Sequence, residues 1–81
     1  MKKIMENLIK RITIDPEIAH GKPTIRNTRY AVSYILEYLA GGDSIEDLLE
    51  EFKDLEKEDV LACLAYAAQT VNFKDFRVSA A

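Results

Sequence analysis

The sequence predicts an α+β fold that is mostly α: a short N-terminal β ribbon followed by a three-helix, helix-turn-helix-like unit. Three observations point there. A brief β-branched alternation lies near the front, at Arg11-Ile12-Thr13-Ile14-Asp15. A cluster of turn-forming residues follows it. From Tyr30 onward the apolar residues recur at helical spacing.

The 81 residues make one domain, near the lower size at which a single core is self-sufficient. Within it, residues 11–29 are expected as ribbon and loop, 30–71 as the trihelical unit and 72–81 as a tail. Pro16 ends the first strand. His20, Gly21, Pro23 and Asn27 are the residues expected to shape the turns. Gly21 permits positive φ, and Pro23 pushes Lys22 out of helix. Asn27 tolerates the left-handed region in a tight turn after Thr24-Ile25. His20 is expected to close the Gly-Lys-Pro turn through a bond to a backbone carbonyl.

Val32, Ile35, Leu36 and Leu39 mark the core face of the first helix of the unit, which Gly41-Gly42 ends. Ser44 caps the next helix, with Asp47 in the capping-box position. Ile45, Leu48, Leu49 and Phe52 form its inner side. The third helix opens near Leu55-Glu56. Its expected packing face is Val60, Leu61, Leu64, Ala67, Ala68 and Val71. The aromatic tail from Val71 to Val78 shows no clear period.

Charge is divided unevenly. Residues 1–30 hold seven basic and three acidic side chains; residues 31–81 hold four basic and eleven acidic. The overall charge is −3. Such blocks suit two kinds of partner, or simply make two solvated faces. The first thirty residues are read as a positively charged, hairpin-like appendage on the acidic helices. The lone Cys63 lies in an apolar helical run and reads as a small buried hydrophobe in a reducing compartment. The N-terminus lacks the apolar centre of a signal peptide, and no apolar run matches a membrane span. A cytoplasmic location is expected.

Catalysis is not expected. His20 is the only histidine, and Cys63 lies deep in a helical run. Asp15, Glu17 and His20 are the one constellation that suggests a metal, short of the usual ligand set. No cofactor is expected.

Two candidate binding surfaces remain. Lys10, Arg11, Lys22, Arg26 and Arg29 form a candidate nucleic-acid face on the ribbon. The competing reading pairs Arg26 and Arg29 with Asp15, Glu17 or the helix carboxylates. Tyr30, Tyr34 and Tyr38 line the helix opposite its core stripe, a candidate dimer or partner face. The competing reading covers them with the ribbon or the tail. Phe73 and Phe76 are the tail's candidate contacts.

The stretch "ITIDPEIAHGKPTIRNTRYAVSYILEYLAGGDSIEDLLEEF", with "EDVLACLAYAA" after it, resembles the family known as domain of unknown function 433. The likeness spans about Arg11 to Gln69. The family usually has glycine at the position of Asn27, for which Asn is the closest substitute in a left-handed turn. The resemblance implies a helix-turn-helix-like, often dimeric domain. It is similar to antitoxins of the virulence-associated-protein B type, whose neighbours resemble PIN-like nuclease toxins. An autonomous DNA-binding regulator and a dimeric scaffold are the alternatives.

Overall fold

The computed structural model describes residues 2–80, with side chains described for residues 3–72. Four helices and a two-stranded antiparallel ribbon run in the order α1 (Lys2–Ile9), β1 (Ile12–Thr13), β2 (Thr24–Ile25), α2 (Val32–Ala40), α3 (Ile45–Glu51) and α4 (Lys57–Ala80).

Helix α1 corrects the expectation of a purely hairpin-like front. Met5, Leu8 and Ile9 recur at i, i+3 and i+4 and are half-buried, while Ile4 faces solvent. The helix packs along α4. An eight-residue helix is marginal alone, so this tertiary contact sustains it.

In the ribbon, Ile12 pairs with Ile25 and Thr13 with Thr24. The chain reverses tightly after Ile25. Arg26 and Asn27 have φ of 46° and 58°, and Thr28 N–H donates to the Ile25 carbonyl at 2.8 Å. Two consecutive positive φ values define the hairpin-type turn that matches strand twist. The sequence places Arg26-Asn27 in a tight turn but argues positive φ only for Asn27. Arg26 tolerates the strain because its side chain is held from outside the turn, as shown below. The turn returns the chain so that Ile25 N–H reaches the Tyr30 carbonyl at 3.0 Å and Ala31 bridges Thr24. Thus β2 lies between β1 and the lead-in to α2, and Thr24 and Ile25 are fully buried.

The α2–α3 connection follows the sequence closely. Gly42 takes φ of 107°, and Asp43 N–H donates to the Tyr38 carbonyl at 3.1 Å. This is the glycine-dependent closure of a helix C-terminus. Ser44 then caps α3: its hydroxyl accepts from Asp47 N–H at 3.1 Å, and Asp47 Oδ2 accepts from Ser44 N–H at 2.9 Å. Ser44→Ala is expected to lower stability by about 1 kcal/mol, read as a shift in the denaturant midpoint.

The core comprises Ile25, Val32, Ile35, Leu48, Leu55, Val60 and Cys63, with half-buried Ile12, Leu36, Leu39, Ile45, Leu49, Phe52 and Tyr66 around it. One ribbon residue therefore sits at its centre. Two expectations for α4 need correction. Leu64 and Val71 are 42% and 52% exposed, Ala68 is exposed as well, and none of the three belongs to the packing face. The helix also runs past residue 71, through the segment expected as a tail. The uncharged stretch at 60–73 contains no helix breaker, so nothing local stops it.

Cys63 is fully buried. Burial, together with the negative charge of Asp59, pushes its thiol up to about 12. The thiolate is the reactive form. A thiol reagent is expected to leave native protein unmodified and to label Cys63 only at the rate of unfolding. Rapid labelling in native buffer would contradict this packing.

Candidate functional site

The ribbon and the start of α4 are joined through one carboxylate. Asp59 is at the third position of α4, with its side chain fully buried. Helical geometry aims it back at the helix N-terminus, where Oδ2 accepts from Glu56 N–H at 2.9 Å. The ribbon delivers two arginines to the same carboxylate. Arg26 is bidentate, with Nε to Oδ1 at 3.0 Å and Nη2 to Oδ2 at 2.8 Å. Arg11 Nη1 reaches Oδ1 at 3.0 Å and Glu56 Oε1 at 2.7 Å. Each oxygen of Asp59 thus accepts two bonds, its full capacity.

Electrostatics decide the protonation state. Burial alone drives the Asp59 carboxyl up. The Arg26 hydrogen bonds, the Glu56 N–H and Arg11 outweigh it and hold the group below its ordinary value. Arg26 also donates to the Asp54 carbonyl at 3.1 Å. This explains how a β-hairpin turn tolerates an arginine at positive φ: α4 and the segment before it both grip the guanidinium.

The five basic residues of the candidate nucleic-acid face therefore separate into two groups. Arg11 and Arg26 are engaged by Asp59 and Glu56. Their partners are Asp59 on α4 and Glu56 just before it, among the acids the sequence offered; Asp15 instead accepts from Glu17 N–H at 2.9 Å. Lys10, Lys22 and Arg29 are exposed and make no ion pair among the described residues.

His20 does not have its expected bond. The turn closes through the backbone, with Gly21 N–H to the Ile18 carbonyl at 3.0 Å and Lys22 N–H to the Ala19 carbonyl at 3.1 Å. Ala19, His20 and Gly21 all have positive φ, and the His20 side chain is exposed. Pro23 supplies its carbonyl to Val32 N–H at 3.0 Å, fastening this loop to the start of α2.

The tyrosines gather around Phe52, the residue that ends α3. Tyr30 and Tyr38 each meet its ring edge-to-face with centroids 5.5 Å apart, and Tyr34 lies at 6.1 Å. The Tyr34 and Tyr38 hydroxyls are 3.1 Å apart. Tyr30 Oη donates to Asp54 Oδ2 at 3.3 Å. The Tyr34 bond and partial burial raise the Tyr38 phenol, with further repulsion from Glu51 and Asp43. The face is therefore covered in part by Phe52 at the α3 terminus, which packs against the core as its spacing predicts and meets the tyrosine rings as well. Tyr34 itself remains 44% exposed. Phe73 and Phe76 lie outside the residues whose side chains are described.

A second feature is an apolar groove of about 460 Å³ between α2 and α4. Val32, Leu36, Tyr66, Ala67 and Val71 line it, with Lys22 and Pro23 at the ribbon end. Periodicity placed several of these residues in the core but gave no sign that the groove would stay open. No described helix is long and apolar enough to cross a membrane.

These features define a mostly helical α+β domain whose N-terminal ribbon is locked to the start of its last helix, leaving a tyrosine face and an apolar groove exposed. The chain belongs to the family described as "Protein of unknown function (DUF433)", whose model matches residues 12–67. That span holds β1, the Arg26-Asn27 turn, Asp59 and the tyrosine face. A crystal structure of a DUF433 member protein from Anabaena variabilis ATCC 29413 is similar at a TM-score of 0.73 and 28% identity, covering 96% of this chain and 77% of that one. "Uncharacterized protein y4eO" of Sinorhizobium fredii (strain NBRC 101917 / NGR234) is 34% identical over 56 residues, 69% of this chain. The chain matches only 25% of that relative's length.

Proposed function

We propose that the chain is an antitoxin-like binding protein that neutralises a PIN-like nuclease partner and acts without catalysis of its own. The observation that carries this reading is the partly exposed tyrosine face of α2. Tyr34 presents a large ring supported from beneath by Tyr38 and Phe52. A rigid, amphipathic aromatic surface of this kind suits a protein interface. Asp54, Glu51 and Asp43 beside it favour a partner segment bearing arginine or lysine. The family resemblance supplies the partner class.

Co-expression with the product of the adjacent reading frame tests the proposal. The two proteins are expected to co-purify, and the chain to suppress RNA cleavage by its neighbour. Tyr34→Ala is expected to weaken the complex by about 2 kcal/mol, near 30-fold in Kd. A neighbour without nuclease activity, or unaltered binding by the variant, would contradict it.

A second reading, an autonomous DNA-binding regulator, is favoured by the exposed Lys10, Lys22 and Arg29. Phosphate neutralisation by such residues supplies non-specific affinity. Against it, α3 carries Glu46, Asp47, Glu50 and Glu51, which repel a phosphate backbone. With Arg11 and Arg26 occupied internally, the ribbon offers three cations instead of five. An electrophoretic shift with the chain's own promoter, alone and with its neighbour, separates the readings. No shift at low salt would exclude promoter binding. A chain that neither shifts DNA nor holds the neighbour would fit the dimeric scaffold.

A further inference from the structure

We infer that the groove between α2 and α4 binds a free, single-chain amphiphilic carboxylate, its aliphatic chain against the two helices and its anionic head at Lys22. The sequence supplies the walls. From residue 60 to residue 73 no side chain is charged, so α4 presents Tyr66, Ala67 and Val71 to the groove without an ionic group among them. The Thr70 hydroxyl already donates to the Tyr66 carbonyl at 2.9 Å. Val32 and Leu36 form the α2 wall. The volume, about 460 Å³, lies within the range of small-molecule sites, which are mostly apolar with a few polar groups that fix orientation.

Charge complementarity selects an anionic head. Lys22 is the one charged residue lining the groove, and it stands at the ribbon end. It makes no ion pair among the described residues. Its neighbour Pro23 holds it there, because the Pro23 carbonyl accepts from Val32 N–H at 3.0 Å. Ser33 adds a hydroxyl donor at the same end, in the first turn of α2. That turn carries no acidic residue and no side-chain cap, so nothing in it opposes an anion. A ligand with a cationic head would meet Lys22 as a like charge.

Length selects a small ligand over a protein helix. The lining runs from Val32 to Leu36 on α2 and from Tyr66 to Val71 on α4, a rise of about 6 Å and about 7.5 Å. A helix docked through i, i+4 and i+7 anchors needs about 10 Å. A chain of methylenes has no such requirement, and each methylene removed from water tightens binding roughly fourfold. The tyrosine face takes no part, since Tyr34 lies about 160° around α2 from Leu36. The site is therefore independent of the nuclease reading.

The test is isothermal titration of the full-length chain with sodium decanoate, below its micelle concentration and at neutral pH. The expected result is one saturable site per chain, with Kd on the order of 0.1 mM. Octanoate is expected to bind about 15-fold more weakly. Lys22→Glu, at an exposed position, is expected to reverse the preference, losing decanoate and gaining decyltrimethylammonium. Ala67→Phe is expected to fill the groove and abolish binding of both. Should that variant not fold, the chain-length series and Lys22→Glu decide. No saturable binding of decanoate, an affinity indifferent to chain length, an unchanged preference in Lys22→Glu, or undiminished binding by folded Ala67→Phe would overturn the assignment. So would an affinity that falls as protein concentration rises, which would give the groove to a second copy. Sedimentation of the chain with phosphatidylglycerol vesicles would give it to a membrane surface and overturn the free ligand.

Discussion

Asp59→Ala is expected to lower stability by about 2–4 kcal/mol. Two costs combine. Removing one member of a buried ion cluster typically costs about 3–5 kcal/mol because charge is left uncompensated. Here the arginine side chains are 31% and 42% exposed and can rehydrate, which reduces that figure. Losing the acceptor for Glu56 N–H adds about 1 kcal/mol. For a domain of this size the midpoint of thermal unfolding is expected to fall by roughly 10–30 °C. Circular dichroism against temperature measures it. A variant that melts with the unaltered protein would mean that the ribbon is held by something else.

The same carboxylate sets a pH dependence. Its folded-state pKa is lower than its unfolded one. Its contribution is therefore complete above the ordinary carboxylate value, about 3.9, and is lost as the pH falls through the lower folded value. Stability from neutral pH to about pH 5 should not change on its account. The additional loss below about pH 4 should be absent in Asp59→Asn.

Ile35→Ala is the second large effect. Ile35 is fully buried in α2 and belongs to the cluster with Ile25, Leu48, Leu55 and Val60, contributed by β2, α3, α4 and the segment before α4. Truncation removes apolar burial and leaves a cavity that surrounding elements fill only in part. The expected loss is about 2–5 kcal/mol. In a small domain with a net stability of about 4–12 kcal/mol, this takes a large share. Chemical denaturation should show a lower midpoint with an unchanged slope. The two variants probe different links: Asp59 joins ribbon to helix by charge, and Ile35 joins all elements by packing.

Local chemistry made much of this fold legible. The Ser44–Asp47 box, the Gly42 closure and the Asn27 turn each depend on a few adjacent residues, and the structure contains all three as the sequence predicts. The strand pair and three of the four helices are likewise as predicted. What could not be read depends on distant contacts. Helix α1 persists because α4 lies against it, and its polar residues obscure the short apolar stripe. The α4 continuation beyond residue 71 carries mixed polar and aromatic residues that show no period. Leu64 and Val71 fit a core stripe by spacing, but spacing alone does not say which face of a helix its neighbours cover. The five cations could be counted in advance. That Arg11 and Arg26 turn inward follows only from the register that brings β1 and β2 beside Asp59. The Tyr–Phe52 cluster was equally hidden, since spacing places Phe52 against the core without showing that its ring also meets the tyrosines.

The basic front is part of the folded domain, fastened to α4 by charge. A double-mutant cycle over Arg26→Met and Asp59→Asn measures that link. Urea denaturation of the four proteins should give a coupling of about 1.5–3 kcal/mol, as expected for a bidentate pair with one buried member. Additive effects, with coupling within about 0.3 kcal/mol of zero, would contradict the account and return Arg26 to the solvent-facing cations.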